Sequence, residues 1–198
     1  LKSLRVIFDQ ELTMTDQLKN VKRKAYGNLI NISRIRHLIS KKTCLQLIHG
    51  LVLSTLDFCN SIYYDLPNEQ LHGLQIALNV AARIVVRMQR FSRESITKVC
   101  IDLHFLPIRA RIEYKICLLT YKSIKYGKPA YIASLPNRQY PNNSIALRSQ
   151  YDTEKLEEPI ISRARYSDRC FSFCAPRLYN SLPLLMRKMN DIIKFKKE

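Results

Sequence analysis

At 198 residues the chain has room for one domain of ordinary size or two small ones. Hydrophobic residues make up 46% and charged residues 25%, with only four glycines, which excludes a low-complexity or mainly disordered chain and favours long helices over turn-rich sheets. Lysine and arginine outnumber aspartate and glutamate 33 to 16, a formal charge of +17 that goes far beyond what solubility requires and points to a polyanionic partner, nucleic acid above all.

In chain order, Leu4, Val6 and Phe8 alternate with Arg5 and Ile7, the period of a short strand over residues 1–8. No partner for it is evident downstream, so it reads as a strand left over from a sheet that continues upstream of Leu1. A chain opening on leucine rather than methionine fits a fragment. Thr13, three residues before Asp16, suits a helix start, and Leu18, Val21, Ala25, Leu29, Ile32 and Ile39 then keep one face of a long helix apolar. Lys19, Lys22, Arg23 and Tyr26 fall on the neighbouring arc, where amines and a guanidinium can reach phosphates while the apolar stripe is buried. A merely solvated face is the competing reading.

A second helix is predicted from about Lys42 to Leu56; it contains His49 and is too short to cross a bilayer, which takes about 20 apolar residues. A third begins at Asn68, read as an N-cap after Pro67, and carries Leu71, Leu74, Leu78, Ala81, Ala82 and Val85 inward, with Arg83, Arg87 and Arg90 at its basic end. Those arginines either meet phosphates or complement the helix dipole. A fourth runs between Pro107, suited to a first turn, and Gly127, suited to a C-terminal cap, with Arg111, Lys115 and Lys122 along one side. Asn137 to Asp152 reads as a turn-rich connector, Ile160 to Phe173 as a short strand or two, and Ala175 to Lys197 as short helical pieces broken by Pro176 and Pro183.

The sequence offers little for catalysis or metal binding. Cys170 and Cys174 lack a second ligand pair at zinc spacing, and Phe171 and Phe173 interleaved with them favour burial. The six cysteines lack the regular spacing of a disulfide scaffold, which suits a reducing compartment, and an intracellular location, cytoplasmic and nuclear, is expected. Asp57 and Asp65 are weak candidates for a two-metal site, and Asp57 reads better as a helix-end or hydrogen-bonding residue. Tyr63 and Tyr64 suit either base stacking or core packing. His37, His49, His72 and His104 stand beside no recognisable nucleophile, and no glycine-rich phosphate loop is present.

Several longer phrases resemble one family. Leu-Arg-Val-Ile-Phe-Asp-Gln-Glu-Leu-Thr-Met at 4–14 resembles the segment that leads from palm to thumb in the reverse transcriptases of non-LTR, LINE-type (jockey-like) retrotransposons, with Arg5 where glycine is usual. Leu-Asp-Phe-Cys-Asn-Ser-Ile-Tyr-Tyr-Asp-Leu-Pro at 56–67 is similar to that family's "LDYCNSLYYGLP" almost position for position. Asn79 to Arg83 is similar to its "NAAAR" helix, and Leu103 to Pro107 with Arg109, Arg111, Ile112, Tyr114 and Lys115 to its "LHWLPVxxRIxYK". Asp168 to Ser172 and Ala175 to Pro183 resemble "GDRxFSxxAPxLWNSLP", with Ser167 and Tyr179 at the usual glycine and tryptophan.

The resemblance spans about Leu4 to Phe195. It implies the end of a palm hairpin over 1–12, a helical thumb-like region over 13–127 and a C-terminal extension over 128–198, in a mainly α fold. It also implies a fragment of an RNA-directed DNA polymerase that grips template RNA and RNA–DNA hybrid through phosphates beside the upstream palm of the same polyprotein. Catalysis and its Mg²⁺ ions would belong to that palm and not to this chain, whose expected contribution is nucleic-acid binding by Lys19, Lys22, Arg23, Tyr26, Arg83, Arg87, Arg111, Lys115 and Lys122, without cofactor, metal or membrane. The alternative is a decayed or host-retained fragment that serves protein interaction or has no function.

Overall fold

In a computed structural model, which describes residues 1–89, 94–135, 155–158 and 169–196, the protein is mainly α-helical, with one short two-stranded sheet among the described residues. The chain divides into two compact units, Leu1–Ile112 and Glu113–Glu198.

The first unit opens with β1 (Lys2–Ser3) and β2 (Val6–Ile7), an antiparallel hairpin. The single strand expected over 1–8 is thus two strands that pair with each other. Leu4 and Arg5 make the turn with φ of 46° and 68°, the left-handed geometry that a two-residue hairpin loop needs and that glycine or asparagine usually supplies. Gln17 docks the hairpin onto the helices. Its Oε1 accepts from the Ile7 amide at 3.0 Å, and its Nε2 donates to the Tyr63 hydroxyl at 3.2 Å.

Helix α1 (Thr15–Ile35) buries Leu18, Val21, Ala25, Leu29 and Ile32, as their spacing predicts. Its start differs from expectation. Met14, in the left-handed region at φ 60°, holds the N-cap position, while the Thr13 hydroxyl is engaged with Asp9 at 2.9 Å, within hydrogen-bond reach of both Asp9 and Thr15. Desolvation acts to raise the Asp9 pKa, but hydrogen bonds from the Thr13 amide and hydroxyl and from the Met14 and Thr15 amides together outweigh it and hold the carboxyl below its ordinary value.

The predicted second helix is one continuous rod with a widened centre: α2 (Lys41–Leu47), π-helical turns over Ile48–Leu53, and α3 (Ser54–Asp57). Widening frees the Leu51 carbonyl, which accepts from Asn28 of α1 at 2.8 Å and from Thr55 at 2.7 Å. After a 3₁₀ turn, Asn60–Tyr63, comes α4 (Asn68–Val86). Pro67, not Asn68, takes its N-cap position, since helical backbone already begins at Asn68, whose Oδ1 accepts from Arg109 at 2.7 Å. The inward residues are the expected ones, with Ala77 added. Helix α5 (Ile96–Asp102) packs on α4, and α6 (Ile108–Tyr126) begins just after Pro107 and ends before Gly127, whose φ of 62° is the left-handed cap anticipated there. Arg90 lies outside the described residues.

The second unit contains the rest of α6, α7 (Ala130–Ala133), α8 (Phe171–Ser181), α9 (Leu184–Lys188) and α10 (Ile192–Phe195). Leu118, Tyr121, Leu156, Tyr179 and Phe195 form its core, with Tyr121 stacked on Phe195 at 4.1 Å. The Asn180 amide holds Leu156 as a strand partner would, accepting from its N–H and donating to its C=O, each at 2.9 Å. Pro183 divides α8 from α9, but Pro176 does not break α8: burial of Cys174, Ala175, Pro176 and Tyr179 outweighs the lost backbone hydrogen bond. Phe171–Phe173, read as strand, are therefore the first turn of a helix, and Arg169 and Cys170 before them are not strand either; residues 160–168 of that predicted strand segment and the connector at 137–152 lie outside the described residues.

Candidate nucleic-acid interface

The amphipathic pattern of α1 decides where its charge goes. At 3.6 residues per turn, Lys19, Lys22, Arg23 and Tyr26 share an arc of about 100° beside the buried stripe. Lys19, Lys22 and Arg23 are exposed and Tyr26 is half-buried. Only light contacts hold the charged groups: Lys19 lies 3.6 Å from Asp16 in a well-exposed pair, and Arg23 donates to Asn20 at 3.3 Å. Such pairs are worth about 0–1 kcal/mol and exchange readily for a phosphate. Lys24 and Arg34 add exposed charge to the same helix.

α1 and α4 run parallel, N-terminus beside N-terminus. Near their starts Lys22 lies across Gly73, where an added Cβ would stand 3.3 Å from the lysine Cδ, and the two helices enclose an open groove of about 320 Å³ lined by Lys19, Lys22, Glu69, His72 and Ile76 among others. Glycine within a helix costs about 1 kcal/mol relative to alanine, and here it makes room for the lysine stem.

At the far ends two arginines cap each other's helices. Arg36 donates from Nε to the Ile84 carbonyl at 2.9 Å and from Nη2 to Val85 at 2.8 Å, closing the end of α4. Arg87, in the left-handed region at φ 56°, donates back to the Arg36 carbonyl at 3.1 Å. Arg87 is exposed, and the carbonyl it reaches belongs to the end of α1 and not to its own helix. Arg83 is different: it is half-buried, and its buried Nε has no hydrogen-bond partner.

Arg111 is committed elsewhere. Its guanidinium grips the Asp57 carboxylate through two nitrogens, Nε at 2.8 Å, and is only 15% exposed. Arg109 donates to the Leu66 carbonyl at 3.2 Å and to Asn68. The segments 56–67 and 103–115, distant in sequence, are thus bolted together by the arginines of one and the Asp57 and Leu66 oxygens of the other. Asp57 is the hydrogen-bonding residue that its sequence position suggested. Lys115 and Lys122 are half-buried on the stretch of α6 that belongs to the second unit.

Tyr63 is 1% exposed, so of its two readings core packing holds, and desolvation raises its hydroxyl pKa. His49 packs edge-on against Phe105 at 5.6 Å; His37, His72 and His104 are exposed. Among the described residues no cluster of three or more His, Cys, Asp or Glu could hold a metal, and no helix is long and apolar enough to cross a membrane. Sequence reasoning missed Arg36, whose position in an amphipathic segment looks like that of any solvated base, and named Arg109 only as part of a family-like phrase, without its partners Leu66 and Asn68. Comparison with family models, with curated proteins and with solved structures returned no match.

Proposed function

We propose that this chain is a nucleic-acid-gripping module, the thumb and post-thumb part of a non-LTR retrotransposon reverse transcriptase, and that it holds template RNA and RNA–DNA hybrid by their phosphates. The observation that carries the binding is the arc Lys19, Lys22 and Arg23: three exposed cations on a helix whose opposite side is fixed in the core. A rigid rod presents these charges at a constant spacing, so phosphate binding costs little ordering of the backbone.

The polymerase assignment rests on the resemblance of the segments quoted above. It is supported by the way two of them, 56–67 and 103–115, interlock through Asp57–Arg111 and Arg109–Leu66. In this reading bond formation belongs to the palm of the same polyprotein and its Mg²⁺ ions, and this chain contributes affinity and register alone.

Affinity then comes from counterion release and not from base edges. Fluorescence anisotropy with two RNAs of unrelated sequence and with an RNA–DNA hybrid, over a salt series, tests this. The expected result is similar affinity for all of them, falling linearly on a log–log plot. Salt-independent binding, or strong preference for one sequence, contradicts it.

A further inference from the structure

From Gln17 to Leu56 the chain carries eight lysines and arginines and no aspartate or glutamate. Folding sorts these cations into two groups. Lys19, Lys22, Arg23 and Lys24 stand on the first half of α1, residues 25–33 carry no charge of either sign, and Arg34, Arg36, Lys41 and Lys42 follow where α1 ends and α2 begins. α2 packs on α4, and Arg87 at the end of α4 joins the second group: its Nη2 donates to the Arg36 carbonyl at 3.1 Å and to that of His37 at 3.5 Å. The ends of α1 and α4 and the start of α2 thus bring their basic side chains to one corner of the first unit.

Within this corner Arg36 is spent on the carbonyls of Ile39, Ile84 and Val85. Arg34, Lys41, Lys42 and Arg87 are exposed, and none of them is in an ion pair among the described residues. Like charges gathered without a carboxylate repel one another, a cost that a bound polyanion reverses. The two groups also share one side of α1. Arg34 is eleven residues beyond Arg23, three turns of helix to within about 20°, so their side chains leave α1 along one line, about 16 Å apart. A single small anion cannot touch both groups at that distance, whereas a run of phosphates can: the gap is about five steps of a duplex strand at about 3.4 Å each. Gly27 lies between them, where an added Cβ would meet nothing within 4 Å, so the path is open at that point.

We infer that the corner formed by Arg34, Lys41, Lys42 and Arg87 is a second phosphate-binding site, and that one nucleic-acid backbone lies along α1 from Lys19, Lys22 and Arg23 to this corner. This rests on the nucleic-acid reading proposed above and adds a second site, the direction in which the ligand lies and a minimum length for it. Single strands and hybrids both meet the requirement, since both present phosphates in a row.

The test compares two triple variants of the full chain, Lys19→Gln with Lys22→Gln and Arg23→Gln, and Arg34→Gln with Lys41→Gln and Lys42→Gln. Each is titrated over a salt series with an RNA–DNA hybrid of about 12 base pairs, long enough to span both sites, and binding is read by fluorescence anisotropy. Each triple variant should lose about 2 to 3 from the salt slope, at about 0.7–0.9 per phosphate contact. The losses should add when all six changes are combined, and the unaltered chain should bind a single hybrid. A folded variant of Arg34, Lys41 and Lys42 that keeps the original slope would overturn the inference while leaving the α1 arc intact, as would two hybrids bound per chain. A slope lost through that variant alone would sink the arc of α1 and, with it, the bridging ligand. Absence of salt-dependent binding in the unaltered chain would sink the broader nucleic-acid reading and this one together. If the triple variant fails to fold, Arg34→Gln alone, expected to lose about 0.7–0.9, decides.

Discussion

Arg111 offers the sharpest separation between a structural and a ligand-binding cation. Its guanidinium is 15% exposed and the Asp57 carboxylate 37% exposed, so the pair lies between a surface bridge, worth about 0–1 kcal/mol, and a buried one, whose disruption costs about 3–5 kcal/mol. Two charge-assisted hydrogen bonds join them. Arg111→Gln is expected to destabilise the chain by about 2 kcal/mol, and Asp57→Asn by a similar amount. Because each single change already abolishes the contact, the double variant should recover about 1–2 kcal/mol relative to the sum. Urea unfolding followed by far-ultraviolet circular dichroism reads this directly. With an m-value of about 1–3 kcal/mol per molar, the midpoint should fall by roughly 1 M for each single variant. The nucleic-acid salt slope should stay unchanged in Arg111→Gln, since its guanidinium is already occupied. Additive effects within about 0.3 kcal/mol, or a slope that drops with Arg111→Gln, would refute the assignment.

The mutual caps of α1 and α4 give a second expectation: Arg36→Met should cost about 2–3 kcal/mol, because it strips hydrogen bonds from three carbonyls, those of Ile39, Ile84 and Val85, and Arg87→Met less, which thermal denaturation of the two variants would rank. In the second unit, burial raises the Cys117 thiol to about 11, helped by Glu113, and the Cys174 thiol to about 12. A pKa raised on folding contributes stability that is fully present below the ordinary thiol value of 9.0 and lost as pH rises through the folded values, so that unit should loosen between pH 9 and about 11 to 12, and Cys117→Ala with Cys174→Ala should flatten this alkaline limb. At neutral pH iodoacetamide should label exposed Cys170 well before either, as peptide mass mapping would show; equal labelling would contradict their burial.

What could be read from the chain, and what could not, divides along physical lines. The buried stripes of α1 and α4 were legible because a helix repeats every 3.6 residues, and Leu18, Val21, Ala25, Leu29 and Ile32 keep that period. Pro107 and Gly127 bounded α6 because each acts on its own backbone. The hairpin was hidden, since Leu4 and Arg5 are poor turn residues and give no signal of positive φ. α8 was misread because proline is a local penalty, while the burial that overrides it comes from elsewhere in the unit. For the candidate interface, the basic arc of α1 was visible as a pattern. The fate of each arginine was not: Arg36, Arg87, Arg109 and Arg111 all find carbonyl or carboxylate partners more than forty residues away, and no local spacing announces a partner at that distance.

The central claim is that the exposed arc of α1 binds phosphates, and reversing its charge tests it most directly. Lys19→Glu, Lys22→Glu and Arg23→Glu combined leave the buried stripe untouched, so circular dichroism should report an unchanged fold. Each cation that neutralises a phosphate contributes about 0.7–0.9 to the salt slope. The triple variant is therefore predicted to lose about 2 to 3 from that slope, and to bind unrelated RNAs more weakly by the same factor. A folded triple variant with unaltered affinity and slope would contradict the account.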